Sequence, residues 1–358
     1  MKVPRIAIVN TDQLGYHTDT YQYCRYLRHD FDISYICWDY GQPEVRLEGV
    51  RVVSVSRAGN KARRLARYIR QVLRELDSNA YDVVFVEQFP LCGIIPILRR
   101  TAPMILDIRS GYVRDNSLLR LLNNAELWAD ALFFRHVTII SESLRQVLGI
   151  PGAKSHLLPL GAEPIEVADK NFTALRLFYV GSLDYRHIDA TVLGFDRFFA
   201  EIKGAVELSY DIVGFGSPEE ERKLGEAIDR VSCRDRVKFH GRIPNKDLFP
   251  FLERNNVGVG FIPLKKHYQC QPATKVFEYL LAGMAVIATR TSENARVIGK
   301  QNGVLTDDTP EGFYRGLLEI FANRTRYVSS AIKAEVKDHQ WEEIIRGNLV
   351  PYLQSIMN

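Results

Sequence analysis

Lys275 and Glu278 stand three residues apart in the stretch QPATKVFEYLLAGMAVIAT, residues 271–289. The pattern reads as a loop, a helix stopped by Gly283, and an apolar strand. A helix beginning around Pro272 to Thr274 presents the free N–H groups of its first turn. Thr274 is placed to cap it. Lys275 then adds positive charge beside an anion site. Glu278 lies one turn further on; its carboxylate only accepts hydrogen bonds and suits a pair of neighbouring hydroxyls such as a ribose diol. The plainer alternative is an exposed i,i+3 ion pair contributing ~0.2–0.5 kcal/mol.

A second stretch, YVGSLDYRH (179–187), puts Gly181 and Ser182 in a turn at a strand end with Arg186 close behind. Backbone N–H groups of such a turn face an anion, and arginine offers paired donors to phosphate oxygens. The plainer reading is an ordinary strand-to-helix turn with a solvated arginine. VGFGSPEEE supplies a G-x-G around Gly214 but lacks a third glycine and runs into acids that would repel a pyrophosphate. The first strand ends in NTDQLGYHTDT, with one glycine, Gly15, and His17 two residues on. No nicotinamide fingerprint, Walker A motif or G-x-S-x-G elbow is present. The isolated histidines His136, His156 and His240 read as structural.

These residues need elements to hold them, and the chain alternates β-rich and helical runs throughout. RIAIVN, DISYICW, VRVVSVS, YDVVFVEQ, PMILDIRS and HVTIISES read as strands of a first half that ends near LLPLGAEP. TDTYQYCRYLRHD and AGNKARRLARYIRQVLRELDS read as helices, and another starts at Leu144. IEVADKNFTA (165–174) is the linker, after which the alternation restarts with LRLFYVGSL. Continuous apolar strands between helices predict parallel sheets covered on both faces. The expected fold is α/β: two consecutive doubly wound, Rossmann-like domains, 1–164 and 174–338, followed by a terminal segment, 339–358. Its helix, about Gln340 to Met357, has a 3.6-residue apolar stripe. Such sheets bind ligands at the carboxyl ends of their strands, and a cleft between two of them is the expected site.

Bulk properties narrow the class. The chain has 358 residues, 46% hydrophobic and 25% charged, with a mean hydropathy of −0.14, as in soluble globular proteins. A net charge of +4 without a broad basic footprint argues against nucleic acid. Five cysteines without a CxxC pair give neither a zinc pattern nor a disulfide framework. No signal-like or membrane-spanning apolar run is seen, so a cytoplasmic protein is expected. One helix stands apart: Lys61 to Leu76 combines six Lys and Arg residues, Lys61 to Arg74, with an apolar stripe. Such a helix lies on anionic lipid, peripheral on the inner face of a membrane, or covers a sheet with its basic face solvated.

PATKVFEYLLAGMAVIAT, followed by SENARVI and NGVL, resembles the nucleotide-binding segment of retaining family 4 glycosyltransferases, glycosyl transferases group 1, which have the GT-B fold. LFYVGSLDYRH, YDIVGFG, VKFHGRIP and LFPFLERNNVGVGFIPL follow the same family's order, as do VTIISESL, LLPLGAE and the terminal HQWEEII. The resemblance implies an N-terminal acceptor-binding domain, a C-terminal nucleotide-sugar-binding domain and a terminal helix crossing back to the first. It implies transfer of a hexose from a UDP-sugar or GDP-sugar to a glycan or lipid-linked acceptor, with retention and without metal, in polysaccharide or glycoconjugate synthesis. Glu278 would bind the ribose. Arg186 and Lys275 would neutralise the diphosphate, near the Gly181 and Gly214 turns. Gly241, Arg242 and Ile243 would line the base. Gly15 and His17 would face the donor sugar or acceptor, and Asp107 and Arg109 the acceptor. Two positions depart from the family pattern. The usual glutamate eight residues before Glu278 is Cys270, leaving Gln269 or Gln271 for the sugar hydroxyls; the usual arginine beside the phosphate turn is Ser182. These departures keep a second class open, a non-catalytic nucleotide-sugar-binding or partner subunit. A sugar-nucleotide epimerase on the same fold is a third.

Overall fold

The computed structural model describes residues 3–111 and 117–357. It divides into two compact units, residues 1–160 with 341–358, and residues 161–340. The first unit runs β1 (Arg5–Val9), α1 (Thr18–Leu27), β2 (Asp32–Asp39), β3 (Val50–Ser56), α2 (Lys61–Ser78), β4 (Val83–Glu87), α3 (Ile94–Leu98), β5 (Met104–Ile108), α4 (Ser117–Leu132), β6 (His136–Ile139), α5 (Glu142–Leu148) and β7 (Ser155–Leu157). Its seven strands are all parallel, in the order β3-β2-β1-β4-β5-β6-β7. β1, β4 and β5 occupy the centre, and their near-continuous apolar sequences match burial on both faces.

The second unit runs β8 (Leu175–Ser182), α6 (Ile188–Ile202), β9 (Leu208–Phe215), α7 (Pro218–Arg230), β10 (Val237–Phe239), α8 (Phe249–Arg254), β11 (Val257–Gly260), α9 (Thr274–Leu281), β12 (Ala285–Thr289), α10 (Asn294–Val297), β13 (Gly303–Thr306), α11 (Pro310–Asn323) and α12 (Ser329–Glu335). Its six parallel strands are ordered β10-β9-β8-β11-β12-β13. Both sheets are doubly wound. The order reverses between β1 and β4 in one and between β8 and β11 in the other, and a crevice opens at the carboxyl ends of the strands at such a switch point.

The terminal segment belongs to the first unit, where the Trp341 ring stands edge-on to Tyr23 at 5.9 Å. It is not one regular helix. α13 (Trp341–Ile344) passes through a π turn, Ile345–Leu349, into α14 (Val350–Met357). Pro351 lacks the N–H that a regular helix would bond four residues back, and a π turn absorbs the misfit. β10 is only three residues long. α5 starts at Glu142 under a Ser141 cap rather than at Leu144.

Candidate active site

Helix α9 is brought close to its sheet by two glycines of β11. A Cβ at Gly258 would lie 2.2 Å from the Tyr279 ring, and one at Gly260 would lie 3.0 Å from a Val276 methyl. The small residues let Tyr279 sink until its hydroxyl accepts the Val180 N–H at 3.0 Å. That contact ties α9 to the last residues of β8. The start of α9 therefore lies at the carboxyl edge of the sheet, beside the switch point. Thr274 does not cap the helix. It is the first helical residue, and Ala273 holds the cap position in extended conformation with no side-chain bond. The Val276 N–H is bonded to the Ala273 carbonyl at 2.9 Å; with no side-chain cap, the N–H groups of Thr274 and Lys275 are left for a ligand.

A cavity of about 450 Å³ opens there. Gly181, Ser182, Arg186, Gln271, Thr274, Lys275 and Glu278 all line it. Phe178, Leu248, Leu252 and Ile262 add apolar lining. The Lys275 ammonium sits 4.0 Å from the Tyr179 ring centroid, and the Arg186 guanidinium 4.6 Å from that of Tyr268. Aromatic faces orient cations without neutralising them. Burial, then the Arg186 charge, pulls the Lys275 amine down to about 7, with Glu278 opposing. Burial raises the Glu278 carboxyl, with Lys275 opposing. A site that leaves a lysine uncomfortable when empty is one that favours an anion when filled. The two tyrosines escaped the sequence reading. Tyr179 lies two residues before Gly181 in the same strand, which is the available signal; nothing local marks Tyr268.

The turn before Arg186 is conformationally costly. Tyr185 and His187, on either side of it, take φ of 59° and 54°, a left-handed region that non-glycine residues rarely occupy. Gly181 has φ of 148°, and a Cβ there would lie 2.8 Å from the Lys275 ammonium. Gly181→Ala is therefore expected to displace that ammonium and weaken diphosphate binding about tenfold, a small loss beside that of a whole buried charge. Calorimetric titration checks this, with the melting temperature lowered as well, because alanine at a φ of 148° is strained.

Gly214 pairs in register with Gly181 on β9, so closely that a Cβ would lie 2.3 Å from the Gly181 carbonyl. Its N–H donates to the Gly241 carbonyl at 2.9 Å. Gly214, Gly241, Arg242 and Ile243 are not in the cavity lining, and Arg242 is exposed, stacked 4.6 Å over Phe215. Of the two glutamines near Cys270, Gln269 accepts at its amide oxygen from the N–H and hydroxyl of Ser292, at 2.9 and 3.2 Å, while Gln271 lines the cavity. Cys270 is itself buried.

Gly15, His17, Asp107 and Arg109 belong to the first unit, near the carboxyl ends of β1, β4 and β5. Gly15, at φ of 92°, leaves room for Val45. His17 caps α1, accepting from the Thr20 N–H at 3.5 Å, and its Nε2 lies 3.1 Å from Glu87. Burial lowers His17, while burial and then the Asp107, Asp19 and Asp12 charges raise Glu87. Asp107 and Arg109, expected to face an acceptor, turn inward instead. Asp107 is wholly buried, bonded by Thr138 at 2.7 Å and Tyr23 at 3.4 Å. Arg109 donates to Asp19 at 2.6 Å and to the Leu158 and Pro159 carbonyls at 2.7 and 3.4 Å. A guanidinium that far inside must spend its donors on protein partners. His136, His156 and His240 lie in packing contacts, His156 stacked 3.9 Å from Tyr352 and His240 bonded to Asp211 at 2.7 Å.

Among the described residues no group of three or more His, Cys, Asp or Glu side chains is placed to hold a metal. The Asp30-x-Asp32 spacing opens β2 at the amino end of the sheet, where Asp32 pairs with Arg5 at 3.3 Å.

Two parallel-sheet units of this construction define the GT-B architecture. A glycosyltransferase from Rickettsia africae ESF-5 superposes with a TM-score of 0.75 at 11% identity, covering 100% of both chains. HepE of Anabaena, solved with UDP and glucose, gives 0.74 at 12% identity, over 98% of this chain and all of its own. A UDP-forming α,α-trehalose-phosphate synthase from Burkholderia vietnamiensis gives 0.72 at 12%, over 99% and 100%. Residues 174–323 match the family model described as Glycosyl transferases group 1, and that segment contains every cavity residue named above from Phe178 to Glu278. With this domain in its second unit, the chain is a glycosyltransferase. No curated protein matches it in sequence.

Proposed function

We infer that the cavity of the second unit binds the nucleoside diphosphate of a UDP-sugar or GDP-sugar, and that the enzyme moves its hexose to a glycan or lipid-linked acceptor. The observation that carries this reading is the convergence of Lys275, Arg186, the Gly181 turn and the uncapped start of α9 on one cavity, with the Glu278 carboxylate one turn deeper. Two cations and backbone donors suit a diphosphate, and the acceptor-only carboxylate suits a ribose diol. The solved relatives bound to UDP lend support.

In the proposed reaction the bond from the anomeric carbon to the diphosphate oxygen breaks, and its electron pair stays on that oxygen. The acceptor oxygen bonds to the anomeric carbon, with retention, and the acceptor proton passes to the departing diphosphate. Lys275 and Arg186 stabilise the growing charge, commonly the largest catalytic contribution, and no metal takes part. Gln271 and Thr274 hold donor hydroxyls or phosphate oxygens. Gly214, Gly241, Arg242 and Ile243 border the base, and the Gly15–His17 loop meets the acceptor in polysaccharide or glycoconjugate synthesis.

The test is thermal melting with UDP and GDP. At 100 times Kd a ligand adds about 2.7 kcal/mol, a rise of several degrees. The expected result is such a rise with one of the two, abolished in Glu278→Ala. No rise with either nucleotide sinks the reading; a rise without release of nucleoside diphosphate from donors favours a binding subunit, motivated by Cys270 and Ser182.

A further inference from the structure

The outward face of α4 is apolar. Leu121, Leu122, Trp128 and Leu132, followed by Phe133, are all at least 45% exposed. Their spacing puts the helical ones along one side. Another side, with Leu127 and Ala131, is buried, so α4 carries apolar side chains on an exposed side as well as on a buried one. α3 continues the patch with Ile97 and Leu98, about half exposed, and Leu91 precedes it. The Gly93 N–H ties α3 to Asp130 of α4 at 2.9 Å. Nine of the 19 exposed large hydrophobic side chains among the described residues fall between 91 and 133. That is a patch, not the usual scatter.

α2 borders it. Leu65, Ile69 and Leu73 of α2 form an apolar groove of about 430 Å³ with Leu91 and Ile94. Along the same helix six Lys and Arg residues face two acids, leaving 41 of each sign in the rest of the chain. The entire net charge of the protein therefore resides on the helix beside the apolar patch. Arg63, Arg70 and Arg74 are exposed there.

We propose that the face built by α2, α3 and α4 docks on an anionic lipid bilayer. The α3 and α4 side chains enter the headgroup boundary, and the α2 arginines pair with lipid phosphates. Apolar surface beside clustered arginines is the combination such an interface rewards. A second copy of this chain fits worse, since a two-fold contact through this whole face would bring two basic helices into one interface. No described helix is long and apolar enough to cross the membrane, so the attachment is to one leaflet.

The experiment is co-sedimentation of the full chain with vesicles of phosphatidylcholine alone or with about 30 mol % phosphatidylglycerol. Binding to the anionic vesicles, weakened by salt, is expected, together with a blue shift of tryptophan emission as Trp128 enters lipid. Each arginine near an anionic surface contributes a factor of about five. Arg63→Glu, Arg70→Glu and Arg74→Glu together should weaken binding at least ~100-fold. Leu122→Ser with Leu132→Ser should remove the blue shift while melting stays unchanged, because both side chains are exposed. No binding to either vesicle, equal binding to both, or a concentration-dependent dimer abolished by Leu122→Ser would each overturn the proposal.

Discussion

Lys275→Met is expected to slow release of nucleoside diphosphate from the donor by about 10²- to 10³-fold, the usual loss when one preorganised donor to a developing oxyanion is removed. The ammonium sits over the Tyr179 ring, 4.0 Å from its centroid, and Arg186 is its cationic neighbour. Arg186 and the first turn of α9 remain in the variant, so the loss is partial. The folded protein should not suffer. Burial pulls this amine down to about 7 from its ordinary 10.5, so the unfolded chain holds more protons between those values and the charged lysine opposes folding below them. Removing it leaves melting without nucleotide unchanged or raised.

The same residue gives nucleotide binding a pH dependence of definite sign. Empty, Lys275 loses its proton as pH rises through about 7. Beside a diphosphate the charged form is favoured and its pKa rises. Above about pH 7, binding must then take up a proton, and affinity should fall by up to about tenfold per pH unit. Below that point this contribution is flat. Titrations from about pH 6.5 to about 9 in two buffers of different ionisation enthalpy count the proton directly. A flat profile in the wild type shows that binding takes up no proton, and the same slope in Lys275→Met assigns the uptake to some other group; either overturns this reading.

Much of this site was legible because its parts are local. A helix start with lysine and glutamate three apart, and a strand ending in glycine with arginine behind it, are short-range patterns, and parallel-sheet topology carries both to carboxyl ends of strands. What was illegible depended on long-range packing. Thr274 looked like a cap, yet it is the first helical residue, and the close packing of α9 onto Gly258 and Gly260 of β11 is a contact between separate elements that no local pattern marks. Asp107 and Arg109 looked solvent-facing because they follow a strand, yet Asp19, 90 residues away in sequence, draws Arg109 inward. α4 went unread because its apolar residues lie on an exposed side as well as on a buried one. Its partner side, with Leu127, is no more apolar than its exposed side.

Asp19→Ala is expected to destabilise the first unit by about 3–5 kcal/mol, the cost of leaving a buried charge without its partner. The Arg109 side chain is 7% exposed, and among the described residues its 2.6 Å bond to Asp19 is its one ion pair with a carboxylate. The Leu158 and Pro159 carbonyls do not replace a charge. Asp107 lies close enough for burial and the Arg109 charge to contest its proton, and burial wins, holding its carboxyl near pH 6. It is already bonded by Thr138. Asp32→Ala is the control: its bond to Arg5 is 3.3 Å and both side chains are solvated, so under about 1 kcal/mol is expected. All three tryptophans, Trp38, Trp128 and Trp341, fall in the first unit, so their fluorescence reports that unit alone. At ~2–4 °C per kcal/mol for a unit of this size, Asp19→Ala should lower the fluorescence midpoint by about 10 °C and Asp32→Ala by less than about 4 °C. Equal shifts would mean that Arg109 is only loosely held by Asp19. Its guanidinium would then be free to turn toward an acceptor, which the buried pair forbids.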